Sequence, residues 1–273
     1  MVIGMDREES KRMQNTLRLA VCSNLRRRIL ISLKEGKKEL RELRDEMEVS
    51  STTAIHALRE LEKDNLVFQD VDRGYALTKI GEIVALKLND FVDAIEVLKK
   101  HEGFWLEHDL SGIPAHLLEK IGWLNNSNVV KIDALNIIKT HTTYIEFIKT
   151  AKWIKGVSPI FSSDYPEIFE NRVKQHTITQ LVLTESVLKK VIDTIGLKDL
   201  KYSFSEGYLD IFVTKEDVRV AFTVTDTFLS LGLFKPDGIY NTTLDLISTE
   251  ERAVRWGVEL FEYYREKAKK YEI

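Results

Sequence analysis

The 273-residue sequence predicts an α+β helical module followed by an α/β domain. Two patterns carry that prediction. Between residues 24 and 66 apolar side chains recur at helical spacing in three short bursts, then give way to two short runs around a glycine. Beyond Gly103 apolar runs of strand length alternate with helical stretches, and all four prolines, Pro114, Pro159, Pro166 and Pro236, lie past residue 110. The bulk composition is that of an ordinary folded protein, with 44% hydrophobic and 30% charged residues and a formal charge of -3. That near balance excludes an acidic tail protein and a basic coat protein. A single cysteine, Cys22, leaves no intrachain disulfide and no cysteine-rich zinc site, and favours a reducing compartment. The charged start MVIGMDREESKRMQ lacks the apolar run of a signal peptide, and no uncharged apolar stretch approaches the roughly 18 residues of a membrane span. The expected setting is cytoplasmic, with no membrane contact.

The elements follow in chain order. Leu25, Ile29, Leu30 and Leu33 define a first helix that Gly36 can end; Leu40, Leu43 and Met47 define a second, within residues 38–47. Ile55, Leu58 and Leu61 are the buried positions of a third, from Ser51 to Lys63, where Ser50 or Ser51 can accept a hydrogen bond from a free first-turn amide. Residues 66–69 and 75–77, separated by Asp70-Val71-Asp72-Arg73-Gly74, read as a β-hairpin. Three helices and a hairpin form the order of a winged helix-turn-helix, with Glu48-Val49-Ser50 as a turn short enough to cross the second and third helices steeply. In such a module the later helix lies in the major groove of double-stranded DNA with its N-terminal residues toward base edges. Ser51, Thr52, Thr53 and His56 are then the candidate base or phosphate contacts, and Arg59 and Lys63 continue toward the backbone. Arg73, at the hairpin tip, is placed to enter or flank a minor groove.

Charge alone argues for this weakly. Residues 1–90 hold 17 basic and 16 acidic side chains, and Asp70 and Asp72 flank Arg73. Lysine and arginine supply most DNA affinity through phosphates, so the module needs either modest affinity or two copies bound together. Arg26-Arg27-Arg28 and Lys37-Lys38 offer local positive charge, or simply a solvated helix face. From Ile80 onward, Val84, Leu88, Phe91, Ile95 and Leu98 recur at intervals of four or three, close to a helix-helix seam. A dimerisation helix is expected here, against the plainer reading of a helix lying on its own domain. The expected division is a DNA-binding domain at 1–78, a linker or dimerisation helix at 79–102 and a regulatory domain at 103–273.

In the second half the expected strands are 156–161, 178–183, 209–213, 218–224 and 228–234, with helical candidates at 117–124, 132–153, 165–174 and 185–195. A final helix, 249–271, opens with Ser248 and Glu251 as a capping box and presents Ala253, Trp256, Leu260 and Tyr264 on one face. Ser158 and the segment from Thr223 to Asp226 fall at strand ends, where α/β domains place ligands; with His108 and Ser111 they are the candidate effector residues. His108 beside Asp109 suggests an acid-base pair, but neighbours in sequence do not face each other, so a capped loop is the better account. Trp105, Trp123, Trp153 and Trp256 read as core before they read as ligand-stacking rings. Metal sensing needs Cys and His clusters; Cys22 stands alone among residues that look buried, and no histidine pair has ligand spacing. No cofactor motif appears.

Three resemblances follow. SNLRRRILISLKEGKKELRELRDEMEVSSTTAIHALRELEKDNLV, with the hairpin and LTKIGEIVALKL after it, resembles the winged-helix domain of arsenic-repressor-like regulators. FWLEHDLSGIP, VSPIF with YPEIF, AFTVTDTFLSLGLFKPDGIYN and DLISTEERAVRWGVELFEYYREKAKKY resemble the regulatory domain of archaeal transcription regulators linked to methanogenesis and filament growth. That resemblance implies a one-component regulator whose second domain senses an unidentified small-molecule effector or mediates assembly. The element order also resembles half of a phospholipase-D-like domain, but no histidine stands in the required His-x-Lys-x4-Asp pattern, so that chemistry is not expected. The sequence therefore points to a homodimeric DNA-binding regulator and not an enzyme. The competing reading is a small-molecule or phosphodiester-cleaving enzyme with an appended winged-helix interaction domain.

Overall fold

In the computed structural model, which describes residues 6–131, 137–163 and 165–272, apolar side chains gather into one core before Val92 and further cores from Asp93 onward. The first unit holds α1 (Arg7–Val21), α2 (Asn24–Ser32) with a 3-10 turn at Leu33–Glu35, α3 (Leu40–Met47) and α4 (Ser51–Lys63). A hairpin of β1 (Val67–Gln69) and β2 (Tyr75–Leu77) follows, then α5 (Lys79–Lys100). Ile29, Leu30, Leu43, Leu58 and Leu61, all expected helix-face residues, are fully buried together. Ile55, expected to be buried with them, is only half-buried. Ser50 caps α4, its Oγ accepting from the Thr53 amide at 3.1 Å. The α3 to α4 turn passes through Glu48 in the left-handed region (φ 58°), and the Arg28 guanidinium donates to the Glu46 carbonyl at 2.9 Å.

Helix α1 has no counterpart among the sequence expectations. Of its residues only Leu19 and Ala20 are buried, too narrow an apolar face to stand out among its charges. Asn15 and Thr16 hold it to Asp64 at the end of α4, at 3.1 and 2.5 Å. Cys22, expected among buried residues, is exposed just past the end of α1. In α5 the expected seam is divided: Leu88 is buried in the first core with Val84 packed beside it, and Leu98 packs on a core of the second unit. Phe91 and Ile95 remain 54% and 45% exposed. The heptad-like spacing thus serves three surroundings, because one helix face must pack wherever its neighbours change.

The second unit continues with α6 (Glu102–Glu107), α7 (Ala115–Leu118), β3 (Asn128–Lys131), α8 (Ile137–Thr150), β4 (Trp153–Ser158), α9 (Tyr165–Lys174) and β5 (Ile178–Thr184). After these come α10 (Glu185–Ile195), α11 (Leu197–Ser205), β6 (Leu209–Thr214), β7 (Val220–Thr225), β8 (Leu229–Leu233), β9 (Leu244–Ser248), α12 (Glu251–Lys267) and β10 (Lys269–Lys270). Among the described residues the strands form one eight-stranded sheet in the order β10-β6-β5-β4-β7-β8-β9-β3. The β4, β5 and β6 trio is parallel, and β4 turns to antiparallel pairing with β7. Three strands lie outside the expected set. β3 pairs only with β9 and β10 only with β6, so their pairing depends on partners more than fifty residues away. The expected helix at 117–124 breaks into α7 and a 3-10 turn at Ile121–Leu124, and residues 132–136 of the expected 132–153 helix lie outside the described residues. The Ser248 and Glu251 capping box does not form: Ser248 still pairs in β9, so Glu250 is the N-cap and α12 starts at Glu251, two residues later than expected.

Each strand shows different side chains to the two faces. On one face Val220, Phe222, Val224, Leu229, Leu231 and Leu233 pack against Trp256, Leu260 and Phe261 of α12 in a continuous core. The Trp256 indole donates to the Leu117 carbonyl at 2.9 Å, satisfying its polar atom inside that core. On the opposite face the same strands carry Ala221, Thr223, Ser230 and Gly232. There the apolar contacts split into two smaller clusters, one around α9, α10 and α11 and one around α8 and Phe228.

One glycine of the first unit tests this packing. A Cβ on Gly81 would stand 1.8 Å from the Leu66 carbonyl oxygen, so α5 could not keep its place on the end of β1. Gly81→Ala is expected to destabilise the first unit by roughly 2 kcal/mol or more, the scale of forced overpacking. Thermal melts and amide-exchange protection across α2 to α4 measure it.

Candidate functional site

The first candidate surface is the outer face of α4. Thr52, His56, Arg59 and Lys63 recur at intervals of four, three and four, which places them within one narrow stripe, and all four are exposed. Ala54, Ala57, Leu58 and Leu61 point the opposite way into the core. Ser51 and Thr53 are exposed beside the helix start, with the Thr53 hydroxyl 2.8 Å from Ser50 Oγ. Arg73 stands exposed at the hairpin turn with φ 64°, its amide donating to the Asp70 carbonyl at 2.9 Å.

Lys37 decides the electrostatics at that turn. Its ammonium pairs with Asp70 at 2.9 Å and Asp72 at 3.4 Å, so the two carboxylates flanking Arg73 are already compensated. These contacts hold the Asp70 carboxyl below its ordinary range and raise the Lys37 ammonium. Lys38 pairs with Glu35 and Glu46, Arg26 donates to the Leu19 carbonyl, Arg27 to Asn24, and Arg28 to the end of α3. The basic run of α2 and the lysine pair therefore hold the unit together. Arg59, Lys63 and Arg73 make no ion pair among the described residues.

The second candidate is a cavity of about 520 Å³ on the small-residue face of the sheet. Gly156 and Ser158 of β4, Ala221 and Thr223 of β7 and Ser230 of β8 form part of its lining. It lies at the change from parallel to antiparallel pairing and beside the loop that leaves β4. Of the expected effector residues the fold brings Ser158 and Thr223 to this wall, and leaves His108, Ser111 and Asp226 out of it. His108 is buried in the other core, where Nδ1 donates to the Phe104 carbonyl at 2.5 Å and Nε2 accepts from Asn241 at 3.0 Å. Asp109 accepts from the Ser111 amide at 2.8 Å, closing a turn, and Asp226 accepts from the Lys152 amide at 2.9 Å.

The polar groups that sequence reasoning missed are Tyr144, Tyr240 and Asp245. Tyr144 donates or accepts with Thr223 at 2.8 Å, and burial pushes its hydroxyl pKa up. Asp245 interacts with the Tyr240 hydroxyl, and both groups meet above Gly232, where a Cβ would stand 2.0 Å from that hydroxyl and 2.8 Å from Asp245 Oδ1. Burial pushes the Asp245 carboxyl up to about 6 against an ordinary 3.8, with the Tyr240 contact opposing. The sequence signal that could have found Asp245 is a carboxylate set between Leu244 and Leu246.

Two family domains match this chain: the N-terminal domain of methanogenesis regulatory protein FilR1 over residues 14–96 and its middle domain over residues 137–267. The chain belongs to the family that these domains define. It is 29% identical over 265 residues to methanogenesis regulatory protein FilR1 of Methanothrix harundinacea (strain 6Ac), which covers 96% of this chain and 59% of that protein's length. Among solved structures it is similar to TrmBL2, an archaeal chromatin protein with a novel mode of DNA binding, at 19% identity and a TM-score of 0.43, covering 96% of this chain and all of that one. NucT from Helicobacter pylori is similar over 53% of this chain and 98% of its own, at 11% identity and a TM-score of 0.39. No helix among the described residues is long and apolar enough to cross a membrane.

The Asp245 geometry has a measurable sign. Its folded-state pKa lies above the unfolded value, so its contribution to stability is present below the unfolded pKa and is lost as pH rises through about 6. Asp245→Asn removes that loss, with an upper bound of about 3 kcal/mol before solvent screening. The variant should melt higher than the parent at about pH 8, and the difference should shrink near pH 4.

Proposed function

We propose that this chain is a DNA-binding transcriptional regulator that acts as a homodimer and responds to a small molecule through its second unit. The observation that carries the reading is the α4 stripe of Thr52, His56, Arg59 and Lys63, exposed on the helix that follows the short α3 turn and precedes the hairpin bearing Arg73. This order is that of a winged helix-turn-helix, in which the later helix lies in the major groove and the hairpin flanks it. Ser51, Thr52, Thr53 and His56 supply hydroxyl and imidazole groups for bases or phosphates near the helix start, while Arg59, Lys63 and Arg73 neutralise phosphates. The regulatory name of the curated relative supports the same reading.

The balanced charge of the first unit, 17 basic against 16 acidic side chains over residues 1–90, limits the phosphate attraction of one copy and favours two copies bound together. In the proposed dimer the contact uses the exposed part of α5, with Phe91 and Ile95, while Val84, Leu88 and Leu98 serve the chain's own cores. Ile80 and Ile83, also exposed, extend that apolar face. The finer description of the second unit as phospholipase-D-like belongs to this proposal too, as a scaffold for binding. The phosphodiester-cleaving alternative draws no support from the cavity, whose described lining contains neither histidine nor cysteine.

Two measurements check the reading. Arg59→Ala and Arg73→Ala should each weaken promoter binding several-fold at fixed salt and lower the slope of log affinity against log salt by about 0.9 per lost phosphate contact. Unchanged slopes in both would refute the placement of helix and hairpin. Separately, Phe91→Glu with Ile95→Glu should convert a dimer to a monomer in sedimentation equilibrium while the far-ultraviolet spectrum stays that of the parent.

A further inference from the structure

The cavity of the second unit has a charge pattern that selects among ligands. Asp245 lies within its lining, enclosed by protein yet with part of its surface turned to the open space. Among the described residues no lysine, arginine or histidine lines the cavity, and Asp245 takes part in no ion pair. Glu170, the other lining carboxylate, is compensated by Lys174 at 2.6 Å. A buried carboxylate without a cation is costly; the Tyr240 hydroxyl offsets part of that cost, and a cation entering the site would offset more. A phosphate or carboxylate ligand would meet a second negative charge with no donor cation, so anions are excluded on electrostatic grounds.

The remaining walls narrow the choice further. Tyr144, Tyr165 and Phe169 stand in a row on one side, with ring centroids 5.4 Å apart for Tyr144 and Tyr165 and 6.3 Å for Tyr165 and Phe169. Aromatic rings attract a desolvated cation and also cover an apolar body. Leu183, Leu209 and Ile211 line the space away from Asp245. One pole is thus acidic and hydroxyl-rich and the other is aliphatic.

From this arrangement we propose that the cavity binds a small organic amine, its ammonium against Asp245 and Tyr240 and its apolar body against the aromatic row. This rests on the reading of the second unit as the effector domain, and it names the chemical class of that effector. Rows of small residues on β4, β7 and β8 make the space; Asp245 sets the sign of the charge it takes.

The test uses the full chain and calorimetry near neutral pH with three amines, benzylamine, cyclohexylamine and butylamine, beside benzyl alcohol and benzoate. At least one amine should bind, with benzyl alcohol and benzoate about tenfold weaker or worse than benzylamine or its best-binding counterpart. Asp245→Asn should lose amine binding by a similar factor without melting lower than the parent. Ala221→Leu, which fills the space and leaves the carboxylate in place, should lose binding as well. Failure of all three amines, equal binding of benzyl alcohol or benzoate, or full amine affinity in Asp245→Asn would each overturn the proposal. Promoter affinity measured with and without the binding amine separates the two readings: ligand binding in a chain that ignores DNA leaves the cavity assignment standing and removes the regulator, and the converse result removes only the amine.

Discussion

Unequal packing of the two sheet faces is the constraint on which the second unit depends. The strands β7 and β8 place Phe222, Val224, Leu229 and Leu231 on one side and Ala221, Thr223, Ser230 and Gly232 on the other. Large residues draw α12 down through Trp256 and Phe261, which are fully buried, and the resulting core is continuous. Small residues leave the opposite helices no surface to close upon, so their apolar side chains gather in two clusters with open space between. Gly232 is part of the same economy, since only a residue without Cβ lets Tyr240 and Asp245 meet over the strand.

In the first unit the comparable constraint is how positive charge is spent. Most cations of α2 and of the segment before α3 are tied to carbonyls and carboxylates: Arg28 closes the end of α3, Lys38 binds Glu35 and Glu46, and Lys37 neutralises the turn beside Arg73. Beside the hairpin, a short stripe on α4 and Arg73 stand open to a partner. With so little net charge in the unit, such a site gains more from a second copy than from stronger local contacts. The proposed amine cavity and the proposed DNA face thus lie in separate units, and each follows from groups left over once that unit's own packing is satisfied.

Much of this was legible in the sequence. Period-3.6 spacing marked α2, α3 and α4 with their buried leucines, because burial of one helix face imposes that period directly, and apolar runs of strand length marked β4 to β8, with β4 beginning and ending three residues before the expected limits. Elements whose partners are remote in sequence were not legible: β3, β9 and β10 are short and become strands only through pairing, and α1 has almost no buried face to betray it. The α4 stripe could be named in advance since helix geometry alone aligns residues 52, 56, 59 and 63. Of the five residues named for the effector site only Ser158 and Thr223 reach the cavity, as strand ends alone do not say which side chains converge.

By itself the sequence determined the order of units, the helix that carries the exposed polar stripe and the absence of thiolate clusters, for these depend on local spacing and composition. Tertiary structure alone decided three other matters: that the α5 apolar residues divide among two cores and an exposed face, that Lys37 disarms the carboxylates beside Arg73, and that Asp245 faces an enclosed space. Each is a meeting of groups from separate elements, and the energy of a buried carboxylate or a paired lysine depends on what the fold brings against it rather than on its neighbours along the chain.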